Sequence, residues 1–317
     1  MKKIISVILI LSLFLCIFTS CGSDSNLNNP NPDAILNDIL KSYKTNGLTS
    51  WWEVVAIYNA GDNPADYKGF EDLYKSLEGE THIKMASYVI VADIAIIKGA
   101  DSEKFDKYEE YKANLKNLLE NPSDKHTLND YIFGYLALNT SGAAFNDLPV
   151  FSHISESQKP DGGFALSGDS GDIDITAFAI PALWRIMRSY QTITFDLEFL
   201  KRAVNFLENN INENGTFSSY DNENANSTAC VLSALIGYYG HYINVEIPNE
   251  IMQKAADGLA LFKVYDKDKK QTGYSFLIDG RINTLATAQA AIALGDLKNK
   301  TSVWDKLYLD SVAVSGK

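Results

Sequence analysis

Cysteine is scarce in this sequence, with three in 317 residues. Cys16 and Cys21 fall in an apolar N-terminal stretch, so Cys230 stands alone in the remainder and an intramolecular disulfide is excluded there. Flanked by Ala229 and Val231, Cys230 reads as a small buried apolar residue rather than a nucleophile. Positive charge is short as well: 28 Lys and Arg face 40 Asp and Glu, for a net charge of -12. That balance argues against a nucleic-acid partner and against a polybasic membrane patch. Convincing alternating strands are missing, and so is a membrane-spanning run, because the apolar stretch Ile4 to Phe18 is short and lacks a basic stop-transfer flank.

What the N-terminus does contain is Lys2 and Lys3, that apolar run, and then Phe18-Thr19-Ser20-Cys21-Gly22. The arrangement resembles a bacterial lipoprotein signal. The resemblance implies lipidation of Cys21, cleavage before it, and a membrane partner through the lipid, with the protein on the bacterial cell surface at the outer face of the cell membrane. Residues 1–21 are then the signal peptide, 22–32 a polar tether and 33–310 the folded domain.

After the tether, apolar residues keep helical spacing almost to the end, with inner-helix starts recurring roughly 30 to 60 residues apart. The pattern predicts helices in pairs. First members are amphipathic and charged: Asp33–Thr45, Tyr67–Leu77, Phe105–Leu119, Phe145–Ser157, Phe195–Ile211 and Asn249–Phe262. Second members are richer in apolar and small residues: Trp51–Tyr58, Ile83–Ile97, Leu128–Leu138, Ile173–Tyr190, Thr228–Tyr239 and Thr284–Leu294. Six pairs of unequal character predict an all-α (α/α)6 barrel, a single-domain toroid whose second helices form the inner wall. An open solenoid of the same hairpins is the alternative that periodicity leaves open.

Between the members of the fourth pair lies Gln158-Lys159-Pro160-Asp161-Gly162-Gly163-Phe164, where Asp and Gly supply turn chemistry. This resembles the Q-x-x-D-G-x-W/F repeat of the prenyltransferase and squalene-cyclase superfamily, with degenerate echoes at Asn214-Gly215-Thr216-Phe217 and Gly273-Tyr274-Ser275-Phe276. The resemblance implies the same toroid over roughly residues 33–297. Within that superfamily the chain is similar to bacterial surface proteins related to the helical domain of transcobalamin and intrinsic factor, through Asp161 to Ala177, Asn224 to Cys230 and Gly273 to Ala290. By that likeness alone a corrinoid enters as a ligand, although transcobalamins close their site with a C-terminal β-domain and this chain ends at Lys317. No other cofactor is expected. In the D-x-D-D motif of class II terpene cyclases, Asp174 matches the middle, proton-donating acid, but Ile175 replaces the last Asp. The D-x-C zinc pair of protein prenyltransferases has no counterpart at Cys230, so no metal is expected.

Parallel inner helices would open their N-termini at one mouth, where polar residues cluster. The candidate ligand-binding set is Trp51, Trp52 and Glu53, His82, Asn129 and Tyr131, Asp172 and Asp174, Phe178, Asn226 and Asn283. Capping competes with function at several of these. Asp172 suits an N-cap, and Asp174 in the first turn suits the helix dipole as a carboxylate. Trp51 and Trp52 are adjacent on a helix, which sends one of them into core packing. The acidic runs around Asp169 and Asp266 lack calcium-loop spacing.

These features favour a lipid-anchored surface module that captures a small molecule or a surface protein without chemistry of its own, and lean against an enzyme. The alternative is an enzyme using the mouth carboxylates Glu53, Asp172 and Asp174, either terpene cyclase-like or glycan-processing.

Overall fold

The computed structural model describes residues 32–189, 198–243, 247–267 and 271–315. The leader, Cys21, the tether up to residue 31 and the start of the helix expected from Phe195 lie outside the described residues. Among the described residues, no helix is long and apolar enough to cross a membrane.

Among the described residues, thirteen α-helices follow one another from Pro32 to Ser315. The outer members of the pairs are α1 (Pro32–Asn46), α3 (Phe70–Ser76), α5 (Tyr108–Glu120), α7 (Leu148–Glu156), α9 (Glu198–Asn209) and α11 (Glu250–Ala260). The inner members are α2 (Trp51–Ala60), α4 (His82–Ile97), α6 (Leu128–Thr140), α8 (Ile173–Ser189), α10 (Ala225–Gly237) and α12 (Thr284–Asn299), and α13 (Val303–Ser315) ends the fold. Outer helices bury one stripe: α9 hides Leu200, Ala203, Val204, Phe206 and Leu207 and keeps Glu198 paired with Lys201 in solvent. Inner helices are buried on nearly every side, and in α12 a run of alanines from Ala286 to Ala293 lets neighbours come close.

Each inner helix packs against the next, and α12 returns to α2, so the ring is closed. At the seam, Asn59 of α2 donates to Asp296 Oδ1 at 2.7 Å and to the Ile292 carbonyl at 2.9 Å, and Lys298 pairs with Asp33 of α1 at 2.5 Å. The open solenoid is excluded, and the all-α (α/α)6 barrel expected from the helix pairs is the observed fold. Strand structure among the described residues is limited to two short hairpins: β1 (Phe217–Ser219) with β2 (Asn222–Asn224), and β3 (Lys263–Tyr265) with β4 (Gln271–Tyr274).

The hairpins belong to a structural repeat in the connections that enter α8, α10 and α12. An aromatic residue donates its backbone N–H to a threonine hydroxyl four residues after the N-cap: Phe164 to Thr176 at 2.8 Å, Phe217 to Thr228 at 3.0 Å and Tyr274 to Thr287 at 2.9 Å. The caps Asp172, Asn224 and Asn283 each accept the N–H three residues on, at 3.0, 2.8 and 2.9 Å. Glycine lets the turn touch the next outer helix. A Cβ on Gly162, at φ +94°, would lie 2.7 Å from the Arg202 carbonyl, and one on Gly215, at φ +85°, 2.0 Å from that of Lys254.

Helix α13 was not foreseen from sequence. It closes the end of the barrel opposite the mouth, where Asp305 meets Arg185 of α8 at 3.1 Å with both side chains buried, and Asp310 accepts from Tyr58 of α2 at 2.5 Å. With that end closed, the inner-helix N-termini form the accessible face.

Candidate functional site

The mouth holds a cleft of about 400 Å³ walled by Asn129, Leu166, Ser170, Asp172, Asp174, Phe178 and Tyr220. Asn129 comes from the first turn of α6, Asp174 and Phe178 from α8, and Tyr220 from the β1–β2 turn, where it stands 87% exposed at φ 51°. Ring closure therefore brings together four of the residues singled out from sequence: Asn129, Asp172, Asp174 and Phe178.

The two acids differ in their partners. Asp172 accepts from the Ile175 N–H at 3.0 Å and from the Ser219 hydroxyl at 3.4 Å, so it caps α8 and reaches across to β1. Asp174 has one buried carboxyl oxygen with no hydrogen-bond partner among the described residues. Burial, assisted by the charge of Asp172, pushes its pKa up to about 6, and the nearby Ser227 hydroxyl opposes this only in part. Ser227 Oγ is itself buried without a bond of ordinary length, so it favours the Asp174 carboxylate from a distance. Burial thus works against the helix dipole, which favours the Asp174 carboxylate at the start of α8. Asn129 Oδ1 and Asn226 Oδ1 are also buried and unpartnered, which gathers unsatisfied polar atoms at the starts of α6, α8 and α10.

Below the cleft the wall is aromatic. Trp51 and Trp52 stack at 3.9 Å, each meets Phe133 edge-on at 6.0 Å, and Phe178 lies 5.6 Å from Trp52 and 5.0 Å from Phe133. The reading that one tryptophan turns away into the core is thus corrected, since both rings, half-buried, join one cluster. Phe178 also walls a narrow well of about 30 Å³ along the barrel axis, with Trp52, Cys230, Gln289 and Trp304. Cys230 is inert packing there, its thiol pKa raised by burial and by the charge of Asp174.

The other sequence candidates sit elsewhere or have structural duties. Glu53 is buried and accepts from the Thr49 and Ser50 N–H groups at 2.6 and 3.0 Å, completing a capping box on α2. Tyr131 is fully buried and donates to the Ser123 carbonyl at 2.5 Å. Asn226 donates to Gln289 at 2.7 Å, and Asn283 caps α12. His82 stacks edge-on with His126, 4.6 Å between centroids, and burial and that neighbour lower its pKa. Sequence reasoning missed Tyr220, Ser227, Phe133 and Trp304. Only Tyr220 left a signal, as an aromatic among turn residues.

No protein-family model and no curated protein sequence matches the chain. Among solved structures it is similar to an unsaturated glucuronyl hydrolase, responsible for the degradation of glycosaminoglycan, from Bacillus sp. GL1, at 13% identity and a TM-score of 0.57 over 86% of this chain and 97% of that one. It is similar too to a UGL variant with dGlcA-Glc-Rha-Glc, at 12% identity, a TM-score of 0.57 and the same coverage. At these identities the likeness establishes the α/α toroid. The narrower likeness to the helical domain of transcobalamin finds no support. The expectation of a non-catalytic binding module, with its leaning against an enzyme, is overturned: the neighbours on this fold are glycan-processing enzymes.

Proposed function

We propose that this protein is a glycan-processing hydrolase whose reaction takes place in the mouth cleft, with Asp174 as general acid. The observation that carries the reading is the buried, unpartnered oxygen of Asp174, on a carboxyl whose pKa stands at about 6 beside a second carboxyl that accepts hydrogen bonds. Two acids whose environments differ can divide the roles of proton donor and carboxylate. Asp174 then protonates the leaving-group oxygen as the glycosidic bond breaks. Asp172, facing the same cleft, supports the positive charge that develops on the sugar and the water that adds to it. Tyr220 offers a ring for stacking on a sugar face, and Asn129 Oδ1 an acceptor for a hydroxyl.

The substrate class follows from the walls. No lysine or arginine is among the described residues that line the cleft, and the chain carries a net charge of -12. A uronate carboxylate would enter beside Asp172 and Asp174 without a compensating cation, at a desolvation cost. The reading is therefore a neutral glycan, in contrast to the glucuronyl substrates of the structural neighbours. Mass analysis of products from neutral and uronate-terminated oligosaccharides tests it: cleavage of neutral chains supports the proposal, and cleavage confined to uronate-terminated ones contradicts the substrate class.

Anchoring at the cell surface through Cys21 is a companion proposal that rests on the leader sequence. Intact-mass analysis of detergent-extracted protein should show a diacylglyceryl group on an N-terminal Cys21, and an unprocessed leader would contradict it.

A further inference from the structure

Among the described residues, one cluster of side chains outside the cleft has the composition of a metal site. His82 opens α4, His126 lies in the turn before α6, and Asp130 sits in the first turn of α6. One ligating atom from each lies within 4.8 Å of the others. We propose that His82, His126 and Asp130 bind a divalent transition metal ion, zinc being the best match to two imidazoles and one carboxylate, and that the ion clasps the second hairpin of the ring to the third.

The geometry is close to what an ion requires. Tetrahedral zinc with bonds of about 2.0 Å holds neighbouring ligand atoms about 3.3 Å apart. Modest rotations of two partly exposed imidazoles cover the difference from the observed separations. Asp130 is already held. Its Oδ2 accepts from the Thr127 N–H and hydroxyl, each at 2.8 Å, so the carboxylate is oriented by its own capping box in the manner of an outer coordination shell. The nearby cation Lys84 is turned away, donating to the carbonyls of Glu78 and Ser76 at 3.3 and 3.5 Å. Three protein ligands leave a fourth position for water, and the ligand set suits zinc, nickel or cobalt better than calcium or magnesium, which take oxygen donors.

The clasp joins hairpins that already meet through packing of α4 on α5 and α6 and through the Thr140–Asp93 hydrogen bond at 2.8 Å, and it sits at the mouth end of α4 and α6, away from that bond. It does not depend on the hydrolase reading, because none of its three residues lines the cleft.

The test is calorimetric titration of chelator-treated full-length protein with zinc chloride, beside thermal unfolding with and without the ion. One equivalent of zinc should bind and raise the melting temperature. His82→Ala and His126→Ala should each weaken binding at least about tenfold. His153→Ala, which alters a ring packed on Tyr131 outside the cluster, should leave it unchanged. Cobalt(II) substituted for zinc should give a visible ligand-field spectrum that both variants lose. Zinc binding that survives His82→Ala and His126→Ala, or no binding by the native chain, overturns the proposal.

Discussion

Asp172 and Asp174 lie two positions apart at the start of α8: Asp172 accepts from the Ile175 N–H and the Ser219 hydroxyl, while one carboxyl oxygen of Asp174 is buried without a partner among the described residues. Both suit a helix N-terminus, one as cap and one in the first turn, while the fold separates them by burial. The raised pKa of Asp174 is a stability statement. A carboxyl whose folded pKa lies above its unfolded value binds its proton more tightly in the folded state, so stability falls as pH rises from about 4 to about 6 and stays lowered above that. Asp174→Asn removes the penalty. Denaturant unfolding should find the variant more stable than the native protein at pH 8, by about 1 to 3 kcal/mol, and equal to it near pH 4. Because Asp93 and Asp296 are also pushed up by burial, to about 7 and about 8, the comparison has to be variant against native rather than one pH against another.

Arg185 and Asp305 pair at 3.1 Å with 4% and 2% of their side chains exposed, and the guanidinium also lies 3.7 Å over the Tyr308 ring. Asp305→Ala strands a buried cation. Urea unfolding should show a loss of about 3 to 5 kcal/mol, and replacing both partners by apolar residues of similar volume should restore most of it.

The repeated threonine is tested at Thr228, whose hydroxyl accepts from the Phe217 N–H at 3.0 Å. Thr228→Val keeps the shape and leaves a buried donor unsatisfied. A cost of about 1 to 3 kcal/mol is expected, with the same result at Thr176 and Thr287.

Glu53 separates cap from catalyst. Glu53→Gln preserves the capping box and should change neither stability nor turnover, whereas Glu53→Ala should cost about 0.5 to 2 kcal/mol. A large rate loss in a stably folded Glu53→Gln protein would return this residue to the reaction.

The ring itself was legible in the sequence because outer and inner helices obey different solvation rules, amphipathic on one side and apolar all round on the other. The site was legible only as a location. Asn129, Asp172, Asp174 and Phe178 were named because they begin inner helices, but nothing local says that Asp174 is buried deeply enough to raise its pKa or that Glu53 bends back onto its own backbone. Trp51 and Trp52 stack because Phe133 and Phe178, distant in sequence, meet them. Helix α13 escaped notice because its hidden face carries Asp305, whose partner Arg185 makes charge burial tolerable, and this blurs the apolar period.

The central claim is that Asp174 delivers a proton to a glycosidic oxygen, and the pH dependence of turnover on a neutral oligosaccharide tests it most directly. Turnover should fall as pH rises through about 6, and Asp174→Asn should lose at least about 100-fold in rate while remaining folded. A native protein that cleaves no glycan, or a folded Asp174→Asn variant that keeps the native rate and the native pH profile, would contradict it.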